Sequence, residues 1–273
     1  MWTIFALIRI FQTRLMTGFQ LRMKHKTKII AHRGASGYAP EITIEAYRQV
    51  IPMGCDGVEL DVQMLCDGTL IAFHDTGMER TTDGFGPLFN HTLESIKKLD
   101  AGSWFNRAFP EKARPEYAGL RVPTLDEILK FLKESPLEFF IEIKNPELYP
   151  SDFEARLVEC VDENQLGDRT LFMSFSDVSI RKIKTLRPEA RTALLACQMT
   201  PDPVSAARAA GAKELGILYK LATPELIESA RNHNIAFSVW TVDEPEDIQR
   251  MLALGVDCIT SNYPDRFFLI HPG

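Results

Sequence analysis

The chain has 273 residues, with 31 Lys and Arg against 37 Asp and Glu and a net charge of -6. Apolar residues make up 45% and charged residues 25%, an ordinary globular balance that excludes wholesale disorder. No run approaches the roughly 18 apolar residues of a membrane span, and the acidic balance argues against nucleic acid as a partner.

Five scattered cysteines (Cys55, Cys66, Cys160, Cys197, Cys258), with no CxxC pair, predict buried free thiols in a reducing, cytoplasmic setting and give no zinc signal. The first 28 residues carry Arg9, Arg14, Arg22, Lys24, Lys26 and Lys28 and no acid, so +6 sits there and -12 on the rest. Met1, Ile4, Phe5, Ile8, Phe11, Leu15 and Phe19 form a stripe at helical spacing. Three readings of this start stand side by side: a helix covering one end of the fold, a basic helix in peripheral contact with a membrane surface, or a tail with a later start at Met16. A signal peptide is not expected, because Arg9 and Arg14 interrupt the apolar run.

From Lys28 onward the pattern becomes periodic. Lys28–His32 reads as a short buried strand, Glu41–Met53 as a helix and Gly57–Val62 as a second strand. The Asp67-Gly68 turn then predicts a hairpin return over Thr69–His74. A long polar stretch to about Leu120 has little periodicity beyond a short helix near Leu93–Leu99, and Pro123-Thr124 starts a helix through about Lys133. Further strands are expected at Phe139–Lys144, Thr170–Phe175, Arg191–Ala196, Leu215–Lys220, Ile235–Trp240 and Asp257–Ser261. Helices fill the gaps near 151–163, 177–186, 202–211, 224–233 and 245–254.

Alternating strands and helices with near-continuous apolar strands mean a parallel sheet covered by helices. The hairpin strand cannot be a parallel neighbour of the strand before it, which leaves eight βα units. The expected fold is therefore α/β, a (β/α)8 TIM barrel with a small inserted subdomain after strand two. The expected organisation is a basic segment over 1–27 and a barrel over 28–273, with the insertion at about 63–120. An open doubly wound sheet is the competitor, but its GxGxxG fingerprint is absent.

In such a barrel the site lies at the carboxyl ends of the strands. Strand one ends in His32-Arg33-Gly34, strand two carries Glu59 and Asp61, and the next barrel strand carries Glu142 and Lys144. Later strands end near Ser174, at Trp240 and at Thr260-Ser261-Asn262. Period two puts Glu59 with Asp61, and Glu142 with Lys144, on common faces. Three carboxylates converging on a barrel mouth repel one another unless a cation sits between them, and oxygen ligation suits Mg2+ or Ca2+. Taken singly, His32 or His74 reads as a structural histidine, Arg33-Gly34 as a turn, and Glu142 with Lys144 as a strand-end ion pair. Their assignment to one end of one barrel is hard to explain as scaffold.

The runs His32-Arg33-Gly34-Ala35-Ser36-Gly37-Tyr38-Ala39-Pro40-Glu41, Gly57-Val58-Glu59-Leu60-Asp61-Val62, Phe73-His74-Asp75 and Arg80-Thr81-Thr82 resemble the glycerophosphodiester phosphodiesterase family. Leu99–Phe105, Pro123-Thr124-Leu125, Glu142-Ile143-Lys144 and Val239-Trp240-Thr241-Val242 extend the resemblance, which covers residues 29 to 267. It implies the same barrel and insertion, and metal-dependent hydrolysis of a small-molecule phosphodiester to an alcohol and sn-glycerol 3-phosphate. Carried over, it makes Glu59, Asp61 and Glu142 ligands of one divalent cation and His32 and His74 the acid–base pair. Arg33, Lys144 and Trp240 become substrate- and phosphate-binding residues.

Two positions depart from the family pattern. Ile42 stands where Asn is usual, which could reshape the approach to the metal or unsettle the loop holding Glu41 but is not expected to abolish the reaction. Asn262 stands where Asp is frequent, which removes a carboxylate. Two alternative functions are carried: a lysophospholipase D at a membrane surface, for which the aromatics Phe85, Phe89, Trp104, Phe105 and Phe109 of the insertion are either lipid contacts or that insertion's own core, and a non-catalytic binding barrel.

Overall fold

The computed structural model describes residues 27–198 and 201–270. In chain order it contains β1 (Lys28–Ala31), α1 (Ile44–Val50), β2 (Gly57–Met64), β3 (Leu70–Ala72), α2 (Leu93–Ile96), α3 (Ser103–Ala108) and α4 (Leu125–Leu132). It continues through β4 (Glu138–Ile143), α5 (Phe153–Glu163), β5 (Thr170–Ser174), α6 (Asp177–Leu186), β6 (Arg191–Ala196) and α7 (Pro203–Ala209). The chain closes with β7 (Glu214–Leu218), α8 (Pro224–Asn232), β8 (Ala236–Trp240), α9 (Pro245–Leu254), β9 (Cys258–Ser261) and α10 (Arg266–Ile270).

Eight of these strands form a closed parallel barrel, because β1 pairs in parallel with both β9 and β2. β3 lies outside the ring, antiparallel on β2 with Val62 opposite Ala72. The expected barrel is therefore what the chain builds. The helices begin where the sequence supplies caps: the Thr124 hydroxyl accepts from the Glu127 backbone N–H and Glu127 answers on Thr124, satisfying two otherwise orphaned donors. Thr43, not Glu41, caps α1, so Glu41 stays in the loop beside the barrel mouth. The turn after β1 requires Gly34 at φ +78, where an added Cβ would lie 2.8 Å from the Ala46 carbonyl carbon.

Ile30, Phe140, Leu171, Met173, Ala193, Leu195 and Cys258 form one inward cluster. Two larger apolar clusters pack the helices onto the outer faces of the sheet. β3 and the segments on either side of it share a small core around Leu65, Ile71, Met78 and Leu88, and in a second one Phe105 stacks edge-on against Tyr117 beside Ala39 and Ala46. Phe105 is thus core, while Phe85 is 82% exposed. The cysteines form no disulfide with one another, but only Cys55 and Cys258 are buried; Cys160 is half-buried and Cys66 and Cys197 are exposed, contrary to the expectation of buried thiols. The amphipathic segment 1–26 lies outside the described residues, and among the described residues no helix is long and apolar enough to cross a membrane.

At the amino-terminal end of the barrel Glu138 accepts from Lys28 at 2.5 Å and from Arg191 at 2.7 Å. Glu214 beside them is buried, with Oε1 lacking a hydrogen-bond partner. Burial pushes its carboxyl above the usual range, and Ser238, Arg191 and Lys28 offset only part of that. A raised carboxyl pKa in the folded state stabilises fully below the unfolded value and is lost as pH rises through the folded one. Glu214→Gln should therefore raise Tm at pH 8 by roughly 2–4 °C, the shift about 1 kcal/mol produces in a domain of this size. The gap should close toward pH 4 in paired melting curves, and a lower Tm at pH 8 would show that the charge is compensated.

Candidate active site

The carboxyl ends of β1, β2 and β4 bring the predicted residues together. Glu59 and Asp61 sit on one face of β2, and the parallel register places Asp61 beside Glu142 of β4. All three are buried, and one oxygen from each lies within 4.8 Å of the others. Asp61 is flanked by Arg33 Nε at 3.0 Å and Lys144 Nζ at 3.2 Å, and Glu142 Oε1 lies 2.7 Å from Lys144. These contacts are close but off-angle, so both Asp61 oxygens and Glu142 Oε1 make no proper hydrogen bond.

The cluster cannot be comfortable with three negative charges. Burial, reinforced by Asp61, drives Glu59 well above the ordinary carboxylate range. Burial and Asp61 together push Glu142 up to about 7. Asp61 stays at about 2 because Arg33 and Lys144 outweigh its own burial. A buried, all-oxygen donor set with open lone pairs and excess negative charge fits a hard divalent cation.

The two histidines differ in the partner of Nδ1. His32 Nδ1 lies 2.7 Å from Asn262 Oδ1, while Asn262 Nδ2 donates to Asp243 at 2.6 Å. Asp243 thereby turns the amide oxygen toward His32, so Nδ1 carries the proton and Nε2, 3.9 Å from Glu59, presents a lone pair. Burial, with Arg33 adding, lowers the His32 pKa to about 4. His74 Nδ1 instead meets the Asp75 carboxylate at 2.5 Å. Asp75 sits at about 2 against its burial, because Arg80 and His74 bind it. Burial lowers His74 as well, and Arg33 and Lys144 add to this beyond what Asp61 and Asp75 restore.

Arg80 grips Glu41 through two bonds of 2.8 Å and Asp75 at 2.6 Å, and Arg33 reaches Glu41 at 3.1 Å. Glu41 is therefore firmly held despite Ile42. Ile42 adopts φ +54, a costly setting for a β-branched residue. Its side chain is buried in the helix-packing core and does not line the cavity at the barrel mouth, but with Glu41, Phe73 and His74 it lines a smaller one.

A cavity of about 310 Å³ opens over this end of the barrel. It is lined by the charged and titratable His32, Arg33, Glu59, His74, Glu142 and Lys144 and by the apolar Phe140, Met173, Phe175, Leu195 and Trp240. The two kinds meet where Phe140 pairs with Glu59 and Met173 with Glu142. Trp240 and Phe175 meet edge to face at 5.7 Å. Ser174, also named from the sequence, is turned away and donates to the Ile143 carbonyl.

A model of the glycerophosphoryl diester phosphodiesterase family matches residues 32–266. The chain belongs to this family. A glycerophosphodiester phosphodiesterase of Bacillus subtilis (strain 168) is 41% identical over 258 residues, spanning 89% of this chain and 86% of that protein. One from Caldanaerobacter subterraneus subsp. tengcongensis is 38% identical over 241 residues, spanning 88% of this chain and 96% of the relative. Among solved structures, an Oleispira antarctica phosphodiesterase in complex with the product sn-glycerol-3-phosphate superposes with a TM-score of 0.83 at 26% identity, covering 90% of this chain and 97% of that one. With its family relatives the chain shares glycerophosphodiester phosphodiesterase activity. Sequence reading missed Asp243 as the residue that orients Asn262, and Arg80 as the link between Glu41 and Asp75. Arg80 was visible only as part of a motif, and the Asp243 contact crosses 19 residues to the end of the next strand.

Proposed function

We propose that the enzyme hydrolyses glycerophosphodiesters with a divalent cation and two histidines, releasing an alcohol and sn-glycerol 3-phosphate. The carrying observation is one cavity lined by a crowded carboxylate cluster and by two histidines whose Nδ1 partners differ in charge. When bound by Glu59, Asp61 and Glu142, the cation would supply Lewis-acid stabilisation of charge on the phosphoryl oxygens.

The protein's own groups divide the remaining work. His32, held neutral with Nε2 free, takes the proton from the glycerol hydroxyl adjacent to the phosphate as that oxygen attacks phosphorus. His74, whose imidazolium is balanced by the Asp75 carboxylate, gives a proton to the departing alcohol oxygen as the P–O bond breaks. A bound phosphodiester anion offsets the Arg33 and Lys144 charges that depress His74. Those two cations, in turn, stabilise the charge developing on the phosphate. Water then opens the resulting cyclic phosphate with the roles reversed: His74 accepts the water proton and His32 returns its own to the glycerol oxygen. Trp240 and Phe175 form an apolar wall beside these charges, with Lys144 Nζ 6.0 Å from the centre of the Phe175 ring.

That apolar wall, with Phe175 44% exposed at its edge, favours a second reading in which a lysophospholipid is cleaved in the same way. The test is product identification with glycerophosphocholine, glycerophosphoethanolamine and a lysophosphatidylcholine, each with and without chelator. sn-Glycerol 3-phosphate and free choline or ethanolamine are expected, only without chelator. Faster release of lysophosphatidic acid from the lysolipid would establish the second reading. Phosphocholine and glycerol as products would refute both.

A further inference from the structure

We propose that Gln63 is a positioning residue for His74, held in place by Tyr149. The inference rests on the acid role given to His74 above and concerns what sets that role. Along β2, Gln63 follows Glu59 and Asp61 at period two, so the strand that carries two of the carboxylates carries this amide next on the same face.

Gln63 is fully buried. Its Nε2 donates to the carbonyls of Phe73 at 2.8 Å, His74 at 3.2 Å and Asp75 at 2.8 Å. One amide thus gathers three consecutive carbonyls, the stretch that leaves β3 and bears both His74 and its carboxylate partner. An amide has two N–H donors, so three acceptors share them and the loop cannot shift without stranding one. Phe73 N–H, in turn, donates to the Asp61 carbonyl at 3.0 Å, which fixes the start of the loop to the same strand.

The other end of the amide is just as constrained. Tyr149 donates its hydroxyl to Gln63 Oε1 at 2.8 Å, from the connection after β4. That hydroxyl decides which way the amide faces, because reversing it would set an NH2 against an O–H donor and a carbonyl oxygen against three carbonyls. β4 carries Glu142, so the clamp joins the histidine loop to both carboxylate-bearing strands. A misplacement of about 1 Å at a reacting group can cost roughly 10²-fold in rate, which is the scale available to such a clamp.

The experiment uses Gln63→Met, close in size and without the donors, alongside Tyr149→Phe and His74→Ala, in the full chain loaded with divalent cation. Each is assayed in single turnover, by release of the alcohol in the first step, on glycerophosphocholine, whose alcohol leaves poorly without a proton, and on a glycerophosphodiester of 4-nitrophenol, which leaves without one. Gln63→Met should lose up to about 10²-fold in the rate of alcohol release from the choline ester, with substrate affinity little changed and release of 4-nitrophenol largely spared. Tyr149→Phe should show the same pattern more weakly. Adding Gln63→Met to His74→Ala should cost nothing further.

Equal losses on both esters, or additive losses in the double variant, would make Gln63 scaffold and overturn the proposal. If His74→Ala itself costs both esters equally, the acid role of His74 falls. Non-additivity would still support the clamp in that case, and additivity would still overturn it. Should Gln63→Met fail to fold, Tyr149→Phe alone and combined with His74→Ala answers the same question.

Discussion

Replacing His74 with Ala should lower kcat on glycerophosphocholine by about 10²–10⁴-fold, the usual scale of general acid–base catalysis. Replacing His32 should cost about as much, yet the two variants should be distinguishable. His32 acts on the attacking hydroxyl, so its loss should slow every diester regardless of the leaving alcohol. His74 protonates the departing oxygen in the first step, so in single turnover its loss should hardly slow the release of 4-nitrophenol. The later opening of the cyclic phosphate, which also uses His74, should slow with every diester. The physical basis is the difference at Nδ1: a neutral amide oxygen leaves His32 a base, and the Asp75 carboxylate stabilises His74 with its proton. Circular dichroism should be unchanged, since neither ring belongs to a core cluster. Identical leaving-group dependence in the two variants would show that the assignment is wrong. Undiminished kcat in either would remove that histidine from the chemistry.

The barrel was legible because parallel strands buried on both sides are written as continuous apolar runs, and each of the eight stands out between amphipathic helices. The charged residues inside them were legible for the converse reason: Glu59, Asp61 and Glu142 are too costly to bury without a purpose. What failed lacked periodicity or crossed long separations. α3 was missed because Ser103–Ala108 is a short helix with no side-chain cap, its burial resting chiefly on Phe105. Asn262 was read as a lost carboxylate, but its meaning lies in His32, 230 residues away, and in Asp243, which turns its amide. Gln63 and Tyr149 meet across 86 residues, a pairing that no local pattern announces. The left-handed Ile42 is likewise invisible locally, because nothing near it in sequence replaces the Asn or Gly such a backbone prefers.

Glu59→Gln should separate the cation's role from that of the fold. In the metal-free protein Glu59 is held toward its neutral form by burial and by Asp61. Gln is neutral and close in shape, and its amide oxygen can still accept from the Arg33 backbone N–H that Glu59 Oε2 receives at 3.0 Å. The metal-free variant should therefore melt close to wild type at neutral pH. With a divalent ion at about 100 times its Kd, wild type should gain about 2.7 kcal/mol of stability. That corresponds to roughly 5–10 °C in Tm for a chain of this size. The variant should lose most of this gain, because one of three anionic ligands is gone and the amide offers no charge to the ion. Turnover should fall with it, by on the order of 10³-fold if about 4 kcal/mol of charge stabilisation at the phosphate is lost. Chelator should reduce wild type at least as far. Full wild-type turnover after exhaustive chelation would sink the metal reading. A metal-induced Tm gain unchanged in Glu59→Gln would place the ion somewhere other than among Glu59, Asp61 and Glu142.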